Sequence, residues 1–390
     1  EDILLSSAPV SASACKAVLS EFAAVKGLRA RAQQRTVDLM KKSTSSGSPY
    51  FAKKRTVVSK TVPCAVEVFH DTVKQYIDGD HLWYACAVLG WRGQEGGPID
   101  DDVKQRVVWM FPFAVNINEL QVYQPMIEAC QKFNLVPAWV SMESVDKRIT
   151  QMFDTKGVDD LVICTDFSKF DQHFNSDMQE CAKTILSGIL SSDDQVWINN
   201  VFPIKYMIPL AYDYGKIRYG KHGMGSGSGG TNADETLAHR ALQYEAAQNK
   251  HTKLNPNSQC LGDDGVLTYP GITVEDVVRS YTAHGLEMNE SKQYASKQDC
   301  IYLRRWHHTD YREDGVCVGV YSTYRALGRL MEQERYYDPE VWSAKMVALR
   351  QLSIIENVKY HPLRAEFADF CMARDKFRLG IDIPGFLDNI

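Results

Sequence analysis

Two adjacent carboxylates sit between glycines in Leu261-Gly262-Asp263-Asp264-Gly265. Strand-forming residues flank them, Cys260 and Leu261 before and residues 266–269 after. Neighbouring carboxylates repel one another, and a divalent cation that prefers hard oxygen ligands, Mg²⁺ or Mn²⁺, is a natural countercharge. The same wording is also ordinary turn chemistry, because Asp and Gly tolerate positive φ. A metal site needs a partner acid, and Thr165-Asp166-Phe167-Ser168-Lys169-Phe170-Asp171 offers one. Asp166 closes the apolar run 161–165, and a strand end projects a ligand toward a neighbouring hairpin. With the two strands adjacent, Asp166 and Asp263 would hold two cations roughly 3.5–4 Å apart. Asp171 follows a turn and need not share that metal; capping a helix is its alternative use.

A second segment could meet a substrate through its backbone. Gly223-Met224-Gly225-Ser226-Gly227-Ser228-Gly229-Gly230 runs into Thr231 and then into helix-forming sequence. Glycines permit close backbone approach to a ligand, and Ser226 and Thr231 add hydroxyls. The Gly-Lys-Ser/Thr ending of a nucleotide-binding P-loop is missing, which argues against an NTPase of that class.

The elements that must position these residues follow from pattern. Helical spacing covers 12–32, 177–190, 232–248 and 274–284, the last stopped by Gly285. Strands are predicted at 103–109, 161–165, 259–261, 266–269 and 301–306, and the chain from Arg325 onward is mostly helical apart from prolines at 339, 362 and 384. The middle of the chain thus alternates strands and helices in an order that suits a small, largely antiparallel sheet with helices on one face, an α+β fold. The 390 residues, 44% hydrophobic and 24% charged, are those of a folded globular chain with a large core. No apolar run is long enough to span a membrane. The first residue is Glu1 rather than Met, so the chain reads as processed or excerpted.

Ten cysteines are scattered without a Cys-x-x-Cys pair, which reads as buried thiols of a reducing compartment rather than zinc ligands. His307-His308 is a conceivable metal pair, with a solvated strand or loop as the plainer reading. The net charge of −5 argues against a simple nucleic-acid-coating protein. Its distribution is uneven: between Lys26 and Val66 ten basic residues face the single acid Asp38. Such a segment either lines a positive track for nucleic acid or forms a solvated face.

Taken in order, Asp-x₄-Asp, Ser-Gly-x₃-Thr entering a helix, and Gly-Asp-Asp in a hairpin resemble the palm of viral RNA-dependent RNA polymerases. Further segments agree with that resemblance. Residues 43–50 with Lys53-Lys54-Arg55 resemble the fingers motif that guides the template, through Ser46, Gly47, Ser48 and Pro49. Residues 104–109 resemble the basic fingers motif over the incoming triphosphate. Residues 284–292 resemble the segment that presents a mobile lysine to pyrophosphate, and Tyr302-Leu303-Arg304-Arg305-Trp306 resembles the strand that grips the primer. The wording of residues 166–174 and 223–235 is similar to that of picobirnaviruses, whose genomes are double-stranded RNA.

The resemblance implies a right hand: fingers at 1–160, palm at 161–310 with a fingers insertion at about 175–215, and a small or incomplete thumb at 311–390. It implies two Mg²⁺ or Mn²⁺ ions on Asp166, Asp263 and Asp264, with Asp264 in support. Lys104 and Arg106 would hold the NTP triphosphate, and Lys292 would protonate the departing pyrophosphate, with Lys297 as the alternative. Asp171 would read the ribose 2′-hydroxyl, with Ser226, Gly227 and Thr231 sharing the nucleotide site. Arg304 and Arg305 would contact the primer. The implied partners are RNA template and product, NTPs and a viral capsid protein, in the virion interior and host-cell cytoplasm, with no membrane. One position departs from the pattern: an asparagine common four residues after the loop threonine is here Glu235, and Asn232 lies on the wrong turn to replace it directly. A reverse transcriptase and a catalytically silent, polymerase-shaped RNA-binding protein are the rival readings.

Overall fold

The computed structural model describes residues 7–93, 105–331, 344–386 and 388. Lys104 lies outside the described residues. By its internal contacts the chain divides into two compact units, Glu1–Gly90 with Val108–Cys300, and Trp91–Val107 with Ile301–Ile390.

At the heart of the first unit is a four-stranded sheet, in the order Tyr294–Ser296, Val162–Thr165, Asp264–Leu267, Gln259–Leu261. Every neighbouring pair is antiparallel, as the alternation of elements predicts. Val162–Thr165 is buried at every position, which is why it reads as an unbroken apolar run rather than an alternating one. Helix Thr231–Asn249 packs against strand Gln259–Leu261 and against helices Ala12–Glu21, Ser176–Ile189 and Val274–Thr282. It is buried on nearly all sides, so its alanines serve close packing and it shows no polar face.

Three predicted helices appear within two residues of their expected ends, and side-chain caps explain the starts of two of them. Asn175 accepts hydrogen bonds from the Asp177 and Met178 N–H groups at the head of Ser176–Ile189. Thr273 does the same for Asp276 at the head of Val274–Thr282. The helix expected over 12–32 stops at Glu21. A short 3₁₀ turn and then Gly27, at φ +85°, redirect the chain.

Several elements escape the periodicity. A three-stranded sheet, Ala65–Phe69, Thr72–Ile77 and His81–Tyr84, occupies sequence that reads as irregular. Helix Phe113–Lys132 runs straight through Pro125, a residue that ordinarily ends one. All ten cysteines are free thiols, nine of them buried.

The second unit carries most of a three-stranded sheet of Asp299–Tyr302, Arg305–His308 and Val320–Tyr321, followed by helices Thr323–Met331, Ala344–Asn357 and Arg364–Arg374. Tyr321, Ala326, Ile354 and Val358 form its core. The single strand predicted over 301–306 is in fact a hairpin. Leu303 and Arg304 both take positive φ, 54° and 63°, and reverse the chain between its arms. His307 is buried in the returning arm and its pKa is pushed down to about 3 by burial, so the His307-His308 pair is strand rather than a solvated surface. Among the described residues no helix is long and apolar enough to cross a membrane.

Candidate active site

The two acid-bearing segments meet at one end of the four-stranded sheet. Gly265 pairs with Thr165 and Val266 with Cys164. Continuing that register by one residue sets Asp264 opposite Asp166, just past the end of its strand. Asp264 also pairs with Leu261 across a two-residue turn, Gly262-Asp263. Gly262 takes φ +58°, the left-handed geometry that a two-residue hairpin asks of its first turn residue. Asp166 and Asp263 are exposed, and Asp264 is half-buried. Among the described residues no group of three or more His, Cys, Asp or Glu side chains is gathered tightly enough to hold a metal ion. The donors at this sheet end are nonetheless all carboxylates, the hard oxygen set that suits Mg²⁺ or Mn²⁺ and not zinc.

The backbones of both segments are held by side chains that the motifs do not name. Gln293 accepts from the Asp166 N–H at 2.7 Å through Oε1, while its Nε2 donates to the Asp166 carbonyl at 2.9 Å and to the Asn289 carbonyl at 2.9 Å. The Ser168 N–H donates to the Glu287 carbonyl at 3.0 Å. The segment bearing Lys292 is therefore stitched to the segment bearing Asp166. Lys292 itself is exposed at the end of a 3₁₀ turn, Glu290–Lys292, capped by Asn289. Lys297 lies beyond the other end of the edge strand and pairs with Asp159 at 3.5 Å. That separates the two lysines by position.

On the hairpin side, the Gly262 N–H donates to Thr236 Oγ1 at 2.9 Å, and His239 Nδ1 meets the Gly262 carbonyl at 2.9 Å. Burial pushes the His239 pKa down to about 4. The ring is neutral at physiological pH, and because a carbonyl can only accept, Nδ1 carries the proton.

The glycine loop is moulded by its surroundings. A Cβ on Gly227 would stand 1.4 Å from the Trp109 carbonyl oxygen, and one on Gly223 would stand 2.5 Å from that of Asp171. The Met224 N–H donates to the Asp171 carbonyl at 2.8 Å, so the loop's base touches the turn that carries Asp171. Glu119, fully buried on helix Phe113–Lys132, accepts from Ser228 Oγ and, at 3.2 Å, from the Gly229 N–H. Burial drives its carboxyl pKa up, against the pull of Lys205 and these donors. Thr231 Oγ1 turns back to the Gly225 and Ser228 carbonyls at 3.1 and 3.3 Å. Ser226 Oγ accepts from the Trp109 N–H at 3.4 Å.

Below the loop lies a charge pair where the sequence pattern alone marks only an acid in the first turn of a helix. Asp234 accepts from the Tyr123 and Tyr206 hydroxyls, each at 2.6 Å, and pairs with Lys205 Nζ at 3.0 Å, with neither charged side chain exposed. Burial and Asp234 hold both tyrosines well above their ordinary pKa. Glu235 is buried beside this pair, whereas Asn232 is exposed. A Cβ on Gly262 would stand 3.8 Å from Asn232 Nδ2, so Asn232 reaches the acid turn.

The segment at 43–54 folds into a closed loop. Ser45 bridges to Lys53, the Ser46 carbonyl accepts from the Phe113 N–H at 2.8 Å, and Gly47, at φ +59°, packs against the Phe111 carbonyl. Ser46 and Gly47 are buried, Ser48 and Pro49 half-buried. A cavity of about 320 Å³ opens between this loop, helix Phe113–Lys132 and the glycine loop, lined by Lys41, Thr44, Lys54, Asn116, Leu120, Gly227 and others.

Two predicted contacts belong to the second unit. Arg106 is exposed on strand Gln105–Met110. Arg304 is exposed at its turn, whereas Arg305 is buried and donates from Nη2 to the Gly319 carbonyl at 3.3 Å.

Residues 9–349 match the family model described as viral RNA-dependent RNA polymerase. The chain is 67% identical to a "Potential RNA-dependent RNA polymerase" of Human picobirnavirus (strain Human/Thailand/Hy005102/-), over 98% of this chain and 72% of that protein. It is similar to the crystal structure of the RNA-dependent RNA polymerase of a human picobirnavirus, with a TM-score of 0.94, 67% identity, and coverage of 98% of this chain and 73% of that one. An insertion-loop deletion mutant of a human picobirnavirus polymerase gives the same score and identity over 76% of its chain. Ordered motifs, an antiparallel acid-bearing sheet and this extent of identity agree, and the chain belongs to the viral RNA-dependent RNA polymerases, the enzymes of template-directed RNA synthesis, with the picobirnavirus polymerase among its relatives.

Proposed function

We propose that Asp166, Asp263 and Asp264 would hold two Mg²⁺ ions, or Mn²⁺ in their place, for addition of NTPs to an RNA 3′-hydroxyl with release of pyrophosphate. The observation that carries this reading is the strand register that sets Asp264 opposite Asp166, with Asp263 on the adjoining turn. Bound ions of this kind activate the attacking hydroxyl and neutralise the leaving phosphates. The chain's own residues supply the rest. Lys292 donates a proton to the departing pyrophosphate as a general acid, from a segment tied to Asp166 through Gln293. Lys104 and Arg106 neutralise the triphosphate, in a displacement that depends chiefly on positioning and charge.

Asp171 reads the 2′-hydroxyl that marks a ribonucleotide. The contact between its backbone and Met224 lets Ser226, Gly227 and Thr231 shape the same pocket. Template runs past Ser46, Gly47, Ser48 and Pro49, and the basic cavity beside them suits its phosphates. Arg304 and Arg305 contact the primer, and the exposure of Arg304 supports its part in that reading.

In this reading residues 1–160 are fingers, 161–310 palm with fingers sequence near 175–215, and 311–390 thumb. The polymerase replicates and transcribes a double-stranded RNA viral genome in the virion interior and host-cell cytoplasm, against a capsid protein. Asp263→Ala tests the assignment: template-directed incorporation of NTPs falls to background while RNA binding by the same protein persists. Synthesis that survives the substitution overturns the metal assignment.

A further inference from the structure

The turn before Asp263 is gripped at both of its backbone polar groups by one helix. The Gly262 N–H goes to Thr236 and its carbonyl to His239, each at 2.9 Å. The two side chains are three residues apart on helix Thr231–Asn249, hence on one face. The His239 ring also packs edge-on against Phe167, the residue after Asp166, at 5.4 Å between centroids and 85°. Gly265 presses on the same ring, since a Cβ there would stand 2.6 Å from the imidazole Cε1. One fully buried imidazole is therefore wedged between the two acid-bearing segments, bonded to one and packed edge-on against the other.

The choice of histidine carries information. Nε2 of His239 is buried and makes no hydrogen bond among the described residues, and an unpaired buried acceptor is a cost to the fold. Leucine would fill the volume without that cost. What imidazole adds here is the Nδ1–H donated to Gly262. We propose that His239 and Thr236 are positioning residues for RNA synthesis: they clamp Gly262 so that Asp263 is held at a fixed place relative to Asp166. The proposal rests on the reading of Asp166 and Asp263 as the carboxylates of the reaction.

The test uses the full chain in primer extension on an RNA template, with Mg²⁺ titrated and NTP varied. His239→Leu fills the space without donating, His239→Asn restores an N–H near the Nδ1 position, and Thr236→Val removes only the hydroxyl. His239→Leu and Thr236→Val each lower kcat by about tenfold, the equivalent of ~1.4 kcal/mol, and raise the Mg²⁺ concentration needed for half-maximal rate. KM for NTP and affinity for RNA stay at wild-type values, and His239→Asn recovers most of kcat. Equal loss in His239→Leu and His239→Asn, or an unchanged Mg²⁺ profile in His239→Leu with thermal unfolding intact, overturns the clamp. Thr236→Val keeps the side-chain volume and decides the matter if His239→Leu does not fold: a wild-type kcat and Mg²⁺ profile there refutes the proposal. Asp263→Ala in the same assay reports separately on the carboxylate reading, because survival of synthesis in that variant rejects the reading whatever the clamp variants do.

Discussion

Gly227→Ala is the sharpest perturbation of the glycine loop. A Cβ at this position would lie 1.4 Å from the Trp109 carbonyl oxygen and 2.6 Å from its carbon, both backbone atoms of a strand. Ordinary contact begins at 3.4 Å, so loop and strand must part by about 2 Å, twice the misplacement that can cost 10²-fold in rate. The movement also strains the Ser226 Oγ contact to the Trp109 N–H and the Glu119 bonds to Ser228 and Gly229. Elongation rates on an RNA primer-template, with saturating NTP and Mg²⁺, fall by about 100-fold or more. Stability falls by about 1–3 kcal/mol, the range for overpacking, read as a lower melting temperature. Gly328→Ala is the control, since its Cβ meets nothing within 4 Å among the described residues and its φ is unstrained; within helix Thr323–Met331 it is neutral or stabilising by about 0.5–1 kcal/mol. A Gly227→Ala enzyme that elongates at the wild-type rate with unchanged melting refutes the tight loop–strand contact.

Two further outcomes follow from buried charge. Lys205→Met leaves Asp234 buried without its cation, and breaking such a pair costs about 3–5 kcal/mol; chemical denaturation checks this, and a loss below about 1 kcal/mol, on the scale of an exposed pair, contradicts it. His284 and Glu245 hold the N-terminal segment, with His284 Nε2 at 2.7 Å from Glu245, Nδ1 at 2.7 Å from the Ala8 carbonyl, and the Ser11 N–H on Glu245 at 2.8 Å. Burial alone would lower the His284 pKa, but Glu245, the Ala8 carbonyl and Asp177 outweigh it and raise the value above 6.5. Burial likewise pushes Glu245 up, and His284 and Ser11 overcome it to hold the carboxyl below 4.5. The histidine's contribution is complete below pH 6.5 and is lost as pH climbs through its raised folded value, while the glutamate's is complete above 4.5 and is lost on acidification. The pair therefore stabilises most between those limits. Thermal unfolding of His284→Asn, compared with wild type, loses its alkaline-side slope; parallel curves reject the assignment.

What the sequence made legible were the features that depend on neighbours in the chain. Gly262 and the acids after it and the apolar run at 161–165 act through local geometry, so their pattern sufficed. The residues that hold the site still are invisible to pattern because their partners are remote. Gln293 reaches Asp166 and Glu119 reaches Ser228 across more than a hundred residues, and neither glutamine nor glutamate stands out in a surface-like sequence. His239 sits in an alanine-rich helix where periodicity assigns only burial. The strand expected at 301–306 failed for a different reason. Leu303 and Arg304 are poor turn formers by composition, and the tertiary fold imposes positive φ on both.

The placement of charge separates chemistry from support. Glu119 shows what burial does to a carboxyl here: it favours the neutral acid even with Lys205 nearby. A carboxylate that is to bind a hard cation must stay ionised, so an acid of that kind is better kept in water; Asp166 and Asp263, proposed above for that role, are exposed. Exposure alone leaves a side chain loosely placed. Its backbone must then carry the precision, and buried or inward-facing polar groups supply it: Thr236 and His239 hold Gly262, Gln293 holds Asp166, and Glu119 holds the glycine loop. Asp166 and Asp263 thus stand exposed, while the backbone that carries them is tied on either side to the helix and the edge segment behind it.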